Sequence, residues 1–378
     1  MKKETIALIL IIIFALTAVG LWSHLCPILY TFPKPTGPYC VGYVHYHWSN
    51  KSLDAQRAEF NAELFYPRKC TDNASNPFPY QPQKMHALAS IKAAESWLPY
   101  FAWRCMLSNI VAYAEPNALI STTEASYPVL IYLPGIAGDD LHNVYLEELA
   151  SHGYIICAIE PPYDTTVTVF PNNTIIPLDP NLKKTMADND RDGIYAYRNQ
   201  AHVRWNKYIE TAIEQLHLLH NDMQSMFYHK LDFDRLGLIG QSHGGAVVTD
   251  FCQKHTQCKA GVNMDGWTKT YNNSNAFNVP FLFLLSETGG ITETQPLFEN
   301  NNRPDFKKVT IPGAGHLAFN DYVLVKKPIA QWFGIVTSDA HAIIAQIKNE
   351  LVTFFNTYLK NTPNENDASA SVHTLSHR

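Results

Sequence analysis

Residues Leu236–Thr249 read L-G-L-I-G-Q-S-H-G-G-A-V-V-T, and the reading of the whole chain starts from this run. Leu236, Leu238 and Ile239 form a short apolar stretch that suits a buried parallel strand. Gly240-Gln241-Ser242-His243-Gly244 follows at once and fits G-x-S-x-G. Gly245 and Ala246 then open a helical pattern that runs through His255. A serine on a sharp strand-to-helix turn has its hydroxyl pushed out of the sheet, and flanking glycines leave room for the crowded backbone. The helix behind it aims amide N–H groups at the same spot, where an anion is favoured. A pattern with three fixed positions arises by chance. The strand before it and the helix after it are the context that sets aside the bland alternative, a glycine-rich turn with a solvated serine.

A serine hydroxyl is a poor nucleophile at neutral pH. It needs a base within hydrogen-bond reach, and the base needs an acid that fixes its tautomer. Outward from Ser242, three more apolar strands end in candidate residues. Ala260–Met264 is followed by Asp265, and Pro280–Leu285 by Ser286-Glu287. Lys307–Ile311 is followed by Pro312-Gly313-Ala314-Gly315-His316. Upstream, the strand Val129–Leu133 leads into Pro134-Gly135-Ile136-Ala137-Gly138, helical spacing over His142–His152, and a further strand, Tyr154–Ile159. Strand, turn, helix and strand in that order make a βαβ unit, so the sheet is parallel. Residues just past the carboxyl ends of such strands converge on one crevice. The chain order Ser242, Asp265, His316 then fits the α/β-hydrolase fold: class α/β, with a mostly parallel central sheet flanked by helices.

His316, in a glycine-rich loop, is the best base. His243 is too close to Ser242 in the chain, and His341 starts a helix and reads as structural. Position alone leaves the acid open between Asp265 and Glu287. The oxyanion donors are expected to be the backbone N–H groups of Ile136 and His243. Asp139 and Asp140 read as caps of the helix that follows them.

The remaining segments are less decisive. Cys40–Trp48 is strand-like, with His45 and His47 on one face; lacking a third ligand, they read as packed or surface histidines. Ala62–Tyr66 is its partner strand, ended by Pro67. Lys84–Tyr113 reads as one or two helices with many large apolar residues, among them Ile91, Trp97, Leu98, Phe101 and Trp103. Most of this segment is expected to pack, with some aromatic edge exposed. Pro161–Ala187 reads as a long irregular insertion at the rim of the site. Asp188–Gly193 resembles the first half of a calcium loop, but Asn199 stands where the closing glutamate belongs, so a solvated loop is expected. A long amphipathic helix is expected over Arg198–Tyr228, with Ile209, Ile213, Leu216, Leu218 and Leu219 toward the core. Ala340–Leu359 is a second amphipathic helix.

The chain has 378 residues, 46% of them hydrophobic and 17% charged, with a formal net charge of -5 and no long basic run. That is ample material for one large core, and nothing in it recommends nucleic acid as a partner. Residues 1–25 stand apart: Lys2 and Lys3 precede an uncharged apolar run, Ile6–Trp22, with small residues at Ala18-Val19-Gly20. This is the pattern of a signal peptide or of an uncleaved N-terminal membrane anchor, so the domain is expected to be exported. Of seven cysteines, Cys252 and Cys258 are spaced to pair, and Cys157 lies in an apolar strand as a buried thiol. No C-x-x-C pair supports a zinc site. From Asn361 the tail is polar, and residues 361–378 are expected to be disordered.

Several longer stretches carry a resemblance. They are Gly37-Pro38-Tyr39-Cys40-Val41-Gly42, Leu64-Phe65-Tyr66-Pro67, Pro134–Gly138, Leu149-Ala150-Ser151-His152-Gly153-Tyr154-Ile155, Arg198-Asn199, Gly240–Gly245, Met264-Asp265-Gly266-Trp267 and Gly315-His316-Leu317-Ala318-Phe319. Together they resemble the plasma-type platelet-activating factor acetylhydrolases, also called lipoprotein-associated phospholipases, from Gly37 to Leu359. The L-A-S-H-G-Y and M-D-x-W runs are far more specific than G-x-S-x-G. The resemblance implies Asp265 rather than Glu287 as the acid, and Ile136 and His243 as oxyanion donors. It implies cleavage of short or oxidised sn-2 acyl chains from phospholipids, without calcium, metal or other cofactor. It also puts Lys84–Tyr113 where that family has lipid-surface helices. The chain departs from the family at Gln241 and Pro134, each of which replaces a histidine, and at His243, which replaces a bulky apolar residue. These departures bear on the substrate more than on the chemistry.

The expected function is therefore that of an exported serine esterase, with the catalytic domain over residues 37–360. A general carboxylesterase or polyester hydrolase on the same fold is the nearest alternative. A catalytically silent surface-binding protein is the alternative from another class, because fold does not fix function.

Overall fold

The computed structural model describes residues 30–53, 55, 57–70, 77–97, 99–108, 110–138, 142–267, 277–287, 297, 301–325 and 339–360, with 5, 9–14, 16, 17 and 20 near the N-terminus. The expected tail at 361–378, the caps Asp139 and Asp140 and most of the 1–25 leader lie outside the described residues. No described helix is long and apolar enough to cross a membrane. The chain divides into two compact units, Met1–Pro33 with Pro77–Ala112, and Lys34–Asn76 with Tyr113–Arg378.

In chain order the strands are β1 (Tyr30–Thr31), β2 (Cys40–Ser49), β3 (Glu59–Arg68), β4 (Phe78–Pro79), β5 (Ile110–Ala112), β6 (Glu115–Pro116) and β7 (Tyr127–Leu133). They continue with β8 (Ile155–Glu160), β9 (Val167–Val169), β10 (Ile175–Pro177), β11 (Leu231–Gln241), β12 (Ala260–Met264), β13 (Phe281–Ser286) and β14 (Phe306–Ile311). Among the described residues the helices of eight or more residues are α1 (Pro82–Glu95), α2 (Tyr100–Ser108), α3 (Asn143–Ser151), α4 (Pro180–Ala187), α5 (Arg191–Asn221), α6 (His243–Lys254) and α7 (Ala340–Leu359).

The larger unit is built on a nine-stranded sheet in the order β14-β13-β12-β11-β7-β8-β3-β2-β6. All neighbours from β14 to β8 pair in parallel, and β3 alone runs against its two neighbours. Every residue of β7, β8, β12 and β13 is buried. Helices cover both faces of these central strands, which is why they read as continuous apolar runs rather than as alternating ones. Val129, Ile131 and Leu133 of β7 join one core with Trp205, Ile209 and Leu216 of α5 and Val247 and Phe251 of α6. On the other face, a Cβ added to Gly237 would lie 3.0 Å from side-chain atoms of Phe355 and Leu359, so α7 packs tightly over the sheet there. Each fully buried side chain of this size stabilises the fold by about 1.5–3 kcal/mol.

Three expectations need correction. Pro161–Ala187 is not irregular: it holds the β9–β10 hairpin, with Ile175 paired to Val169, and then α4, whose first turn is capped by Asp179. The period-2 signal of two three-residue strands is too short to register in sequence. The long helix spans Arg191–Asn221 rather than Arg198–Tyr228. It starts earlier because the Asp190 carboxylate accepts the Gly193 N–H at 3.0 Å, so one aspartate of the expected solvated loop caps the helix and Asp192 lies in its first turn. Leu218 is 63% exposed rather than turned to the core. It lies two residues past Leu216, about 200° around the helix from the face that Ile209, Ile213 and Leu216 bury.

Other expectations hold. Cys252 and Cys258 form a disulfide, and Cys157 is a buried free thiol whose pKa burial pushes up. A second disulfide, Cys40–Cys70, ties the start of β2 to the end of β3 and had no signal in the sequence. His47 is packed: its Nε2 lies 3.1 Å from Glu59 and its ring stands edge-on to Phe170.

The smaller unit holds a three-stranded sheet, β1-β5-β4, with helices α1 and α2. Leu88, Leu107 and Ile110 are buried there, whereas Trp97 is 89% and Phe101 60% exposed. The expected mix of packed residues and an exposed aromatic edge is present, with two helices followed by a short strand.

Candidate active site

The turn after β11 follows from the close approach of three backbone segments. A Cβ on Gly240 would stand 2.3 Å from the carbonyl carbon of Gly244, and one on Gly244 would stand 2.4 Å from the carbonyl oxygens of Leu133 and Pro134. Only glycine fits either position, which gives the G-x-S-x-G spacing a steric cause. Between them Ser242 takes φ 53° and ψ -117°. A non-glycine residue in so sparsely populated a region costs about 1–3 kcal/mol. Its N–H donates to Met264 O at 2.9 Å, and the Gly244 N–H donates to Pro134 O at 3.1 Å. These bonds hold the serine at the sheet edge.

The structure brings Ser242, His316 and Asp265 together from the ends of three strands. His316 Nε2 lies 3.0 Å from Ser242 Oγ, and His316 Nδ1 lies 2.6 Å from Asp265 Oδ2. Asp265 is only 3% exposed. Its carboxylate also accepts the Ser286 N–H at 2.9 Å and the Ser286 hydroxyl at 2.8 Å. Burial alone raises its pKa, but hydrogen bonds from His316 and Ser286 outweigh that and hold the carboxyl below its usual range. Asp265 has a left-handed backbone, φ 53°. Asn263 supports it by accepting the Gly266 N–H at 2.6 Å.

Glu287, the rival acid, does other work. Its carboxylate accepts the Gly313 N–H at 2.8 Å and its own N–H donates to Ala314 O at 2.8 Å, so it fastens the loop that carries His316. His341 lies at the start of α7, as expected, its N–H donating to the capping Asp339.

The two expected oxyanion donors lie on either side of the serine turn. His243 is the first residue of α6, where backbone N–H groups have no partner within the helix. Ile136 sits in a tight turn closed by the Gly138 N–H donating to Gly135 O at 3.2 Å. Its neighbour Ala137 has φ 56° and donates to Asp164 O at 2.7 Å. Among the described residues the Ile136 N–H has no hydrogen-bond partner. The His243 ring is 6% exposed and stands edge-on to Trp205, with centroids 4.8 Å apart. Burial, with the positive charge of Arg198 and Arg204 and the ring of His202, drives its pKa far down. A neutral ring in that position behaves as an apolar aromatic, which reconciles the departure from the family pattern noted in the sequence.

A cleft of about 350 Å³, open to solvent, reaches Ser242 and His243 and is walled by Tyr195, Arg198, Asn199 and Trp267. The Arg198 guanidinium lies over the Trp267 ring at 5.2 Å, and Tyr195 contacts the same ring at 4.5 Å. Among the described residues no three His, Cys, Asp or Glu side chains cluster as metal ligands. Sequence reasoning passed over Ser286, Asn263 and Asp164. Their positions carry no motif, and only the folded contacts bring them to the site. In chemical terms the site sets a hydroxyl against a histidine that is itself oriented by an ionised carboxylate, with unpaired backbone N–H groups nearby.

Comparison with known proteins bears on the family and the fold. The platelet-activating factor acetylhydrolase of Gallus gallus is 22% identical over 334 residues, covering 79% of this chain and 76% of that protein. The platelet-activating factor acetylhydrolase of Canis lupus familiaris is also 22% identical, covering 83% and 73%. Among solved structures, a ferulic acid esterase from Streptomyces cinnamoneus superposes with TM-score 0.64 at 19% identity, over 88% of this chain and 94% of its own, which shows a shared fold. The sequence model of the family described as platelet-activating factor acetylhydrolase, isoform II, matches residues 28–373, and the chain belongs to that family.

Proposed function

We propose that this chain hydrolyses carboxylic esters through an acyl-enzyme formed on Ser242, and that its substrates are phospholipids with short or oxidised sn-2 acyl chains. The observation that carries the reading is the unbroken hydrogen-bond chain from Ser242 Oγ through His316 to Asp265, at 3.0 and 2.6 Å. In the proposed mechanism, His316 Nε2 takes the Ser242 proton as Oγ bonds to the ester carbonyl carbon. Negative charge develops on the carbonyl oxygen, where the N–H groups of Ile136 and His243 stabilise it. The ester C–O bond then breaks, and the alcohol leaves with the proton from His316. Water repeats the sequence on the acyl-enzyme and frees the acid. Asp265 stays ionised throughout and stabilises the imidazolium. No step calls on a metal or other cofactor.

Family membership and the names of the relatives support the phospholipid substrate. Arg198 on the cleft wall is a side chain suited to a phosphodiester. The test is hydrolysis of phosphatidylcholines with sn-2 groups from acetyl to palmitoyl, in EDTA, beside a series of soluble nitrophenyl esters. The expected result is preference for short sn-2 chains, with turnover reduced by about 10⁶-fold in Ser242→Ala. Turnover of soluble esters alone would move the reading to a carboxylesterase. No serine-dependent turnover, with no labelling by a fluorophosphonate probe, would leave a silent binding protein.

The proposal extends to export and lipid contact. The leader pattern over residues 1–25 and the disulfides Cys40–Cys70 and Cys252–Cys258 support an oxidising compartment. The exposed Trp97 and Phe101 support docking on a lipid surface through residues 84–113. Fractionation of cells expressing the full chain, and vesicle sedimentation of Trp97→Ser, test these two points. Retention in the cytosol, or unchanged sedimentation, counts against each in turn.

A further inference from the structure

Asp164 belongs to neither the hydrogen-bonded triplet nor the cleft wall, yet it is completely buried, at 0% exposure. Four side chains donate to its carboxylate. Arg57 Nη1 does so at 3.0 Å, Arg204 Nη2 at 2.9 and 3.2 Å, Tyr197 Oη at 2.6 Å and Trp205 Nε1 at 2.7 Å. Three of these donors stand on α5 and the fourth, Arg57, just before β3. A buried carboxylate so surrounded is a fixed point, because removing any one partner strands the others away from water.

What this point holds is the candidate oxyanion site, from both sides. The main-chain carbonyl of Asp164 accepts the Ala137 N–H at 2.7 Å, next to the Ile136 N–H. Thr166 adds two further ties: its N–H donates to Gly138 O at 2.9 Å and its hydroxyl to Ala137 O at 3.1 Å. Ala137 is held at φ 56° by these bonds, a conformation that a non-glycine residue keeps only when its surroundings enforce it. On the other side, Trp205, anchored by its indole N–H to Asp164, packs edge-on against His243, whose N–H is the second donor.

We infer that Asp164 is a positioning residue for the oxyanion site, fixing the Ile136 turn through its carbonyl and the His243 end through Trp205. This rests on the mechanism proposed above. Asp164 touches no substrate, so its contribution falls on the transition state, where charge appears on the carbonyl oxygen, and not on ground-state binding. Losing one oxyanion donor costs on the order of 100- to 1,000-fold, and a displaced pair belongs in the same range.

The experiment is steady-state hydrolysis of a soluble nitrophenyl ester by the full chain, wild type beside Asp164→Asn, with Ser242→Ala as the control. Circular dichroism and thermal unfolding report folding. For folded Asp164→Asn we expect kcat lower by about 100-fold, KM within about threefold of wild type, and a weaker trifluoromethyl ketone inhibitor in proportion to the lost kcat/KM. The acid limb of the pH profile should not move, because the His316–Asp265 pair is untouched. A folded variant with kcat within threefold of wild type, or one whose loss lies mainly in KM, overturns the inference. If Asp164→Asn does not fold, Tyr197→Phe removes a single donor from the same carboxylate. The expected loss in kcat is then roughly three- to tenfold at unchanged KM, and no loss overturns the inference. Wild-type turnover that survives in Ser242→Ala, or is absent altogether, defeats the underlying mechanism and this inference with it. Serine-dependent turnover that ignores Asp164 defeats this inference alone.

Discussion

Two buried aspartates near the His316 loop end in opposite charge states. Asp265 is 3% exposed and Asp321 0% exposed, so burial does not separate them. The difference lies in their donors. Asp265 receives three hydrogen bonds of 2.6–2.9 Å, one from a histidine, and its pKa is lowered. Asp321 receives the Val144 N–H at a long 3.4 Å, and its Oδ1 has no partner among the described residues. Burial therefore dominates and, with Glu147 as a like-charged neighbour, pushes its pKa up to about 8, against the weaker opposing pull of backbone donors and Lys348. Glu147 behaves in the same way: burial raises it to about 7 although it accepts the Tyr113 and Ala114 N–H groups. A buried carboxyl keeps its charge where short donors converge on it and keeps its proton where they do not.

The comparison can be broken most sharply at Asp265 itself. Asp265→Asn should leave the fold intact and lower kcat by about 10⁴-fold, because the amide cannot stabilise the imidazolium and favours the wrong histidine tautomer. Esterase kinetics beside thermal unfolding would check it, and a drop below tenfold would mean that the charge at Asp265 is not what the site uses. Ser286→Ala takes one donor from the same carboxylate and spares the backbone bond. A loss of roughly tenfold in kcat is expected, the size of one hydrogen bond to a charged group. An unchanged rate would show that the remaining donors suffice.

The smallest effect on rate is expected at Asp321, where the comparison concerns stability instead. Its folded-state pKa is raised from 3.8 to about 8, so the folded state holds a proton that the unfolded chain gives up. The resulting stabilisation is fully present below about pH 4 and is lost as pH rises to 8. Glu147 adds a loss between about 4.5 and 7 in the same direction. Asp265 works the other way, since its lowered pKa gives stability that is present above about pH 4 and lost as pH falls further. Asp321→Asn should therefore flatten the decline in melting temperature from pH 5 to 8 and keep kcat within about threefold of wild type. A decline as steep as the wild type's would place the proton elsewhere.

Much of the site was legible because G-x-S-x-G records a steric requirement of the chain itself. Gly240 is fixed by backbone contacts within one strand-turn-helix unit, Gly244 by the carbonyls of Leu133 and Pro134 at the end of β7, and Ser242 takes the strained φ between them. His316 and Asp265 were legible because strand ends in a parallel sheet converge, and apolar runs mark those ends. The choice of Asp265 over Glu287 was not legible from position, because both follow strands that lie side by side. Their roles part only through the register that sets Asp265 against His316 and Glu287 against Gly313.

By itself, then, the sequence determined the class of the fold, the parallel run of its central strands and the candidate residues at their ends. Those depend on local periodicity, on backbone crowding at two glycines and on chain order. Tertiary structure alone decided which carboxyl groups are charged, which hairpin and helix occupy residues 161–187, and which side chains brace the oxyanion turn. The cause is physical. The pKa values of Asp265 and Asp321 and the anchoring by Asp164 are set by donors that lie 21 to 177 residues away in the chain, such as Ser286 to Asp265 and Val144 to Asp321. No pattern along the chain reports a contact made at that distance.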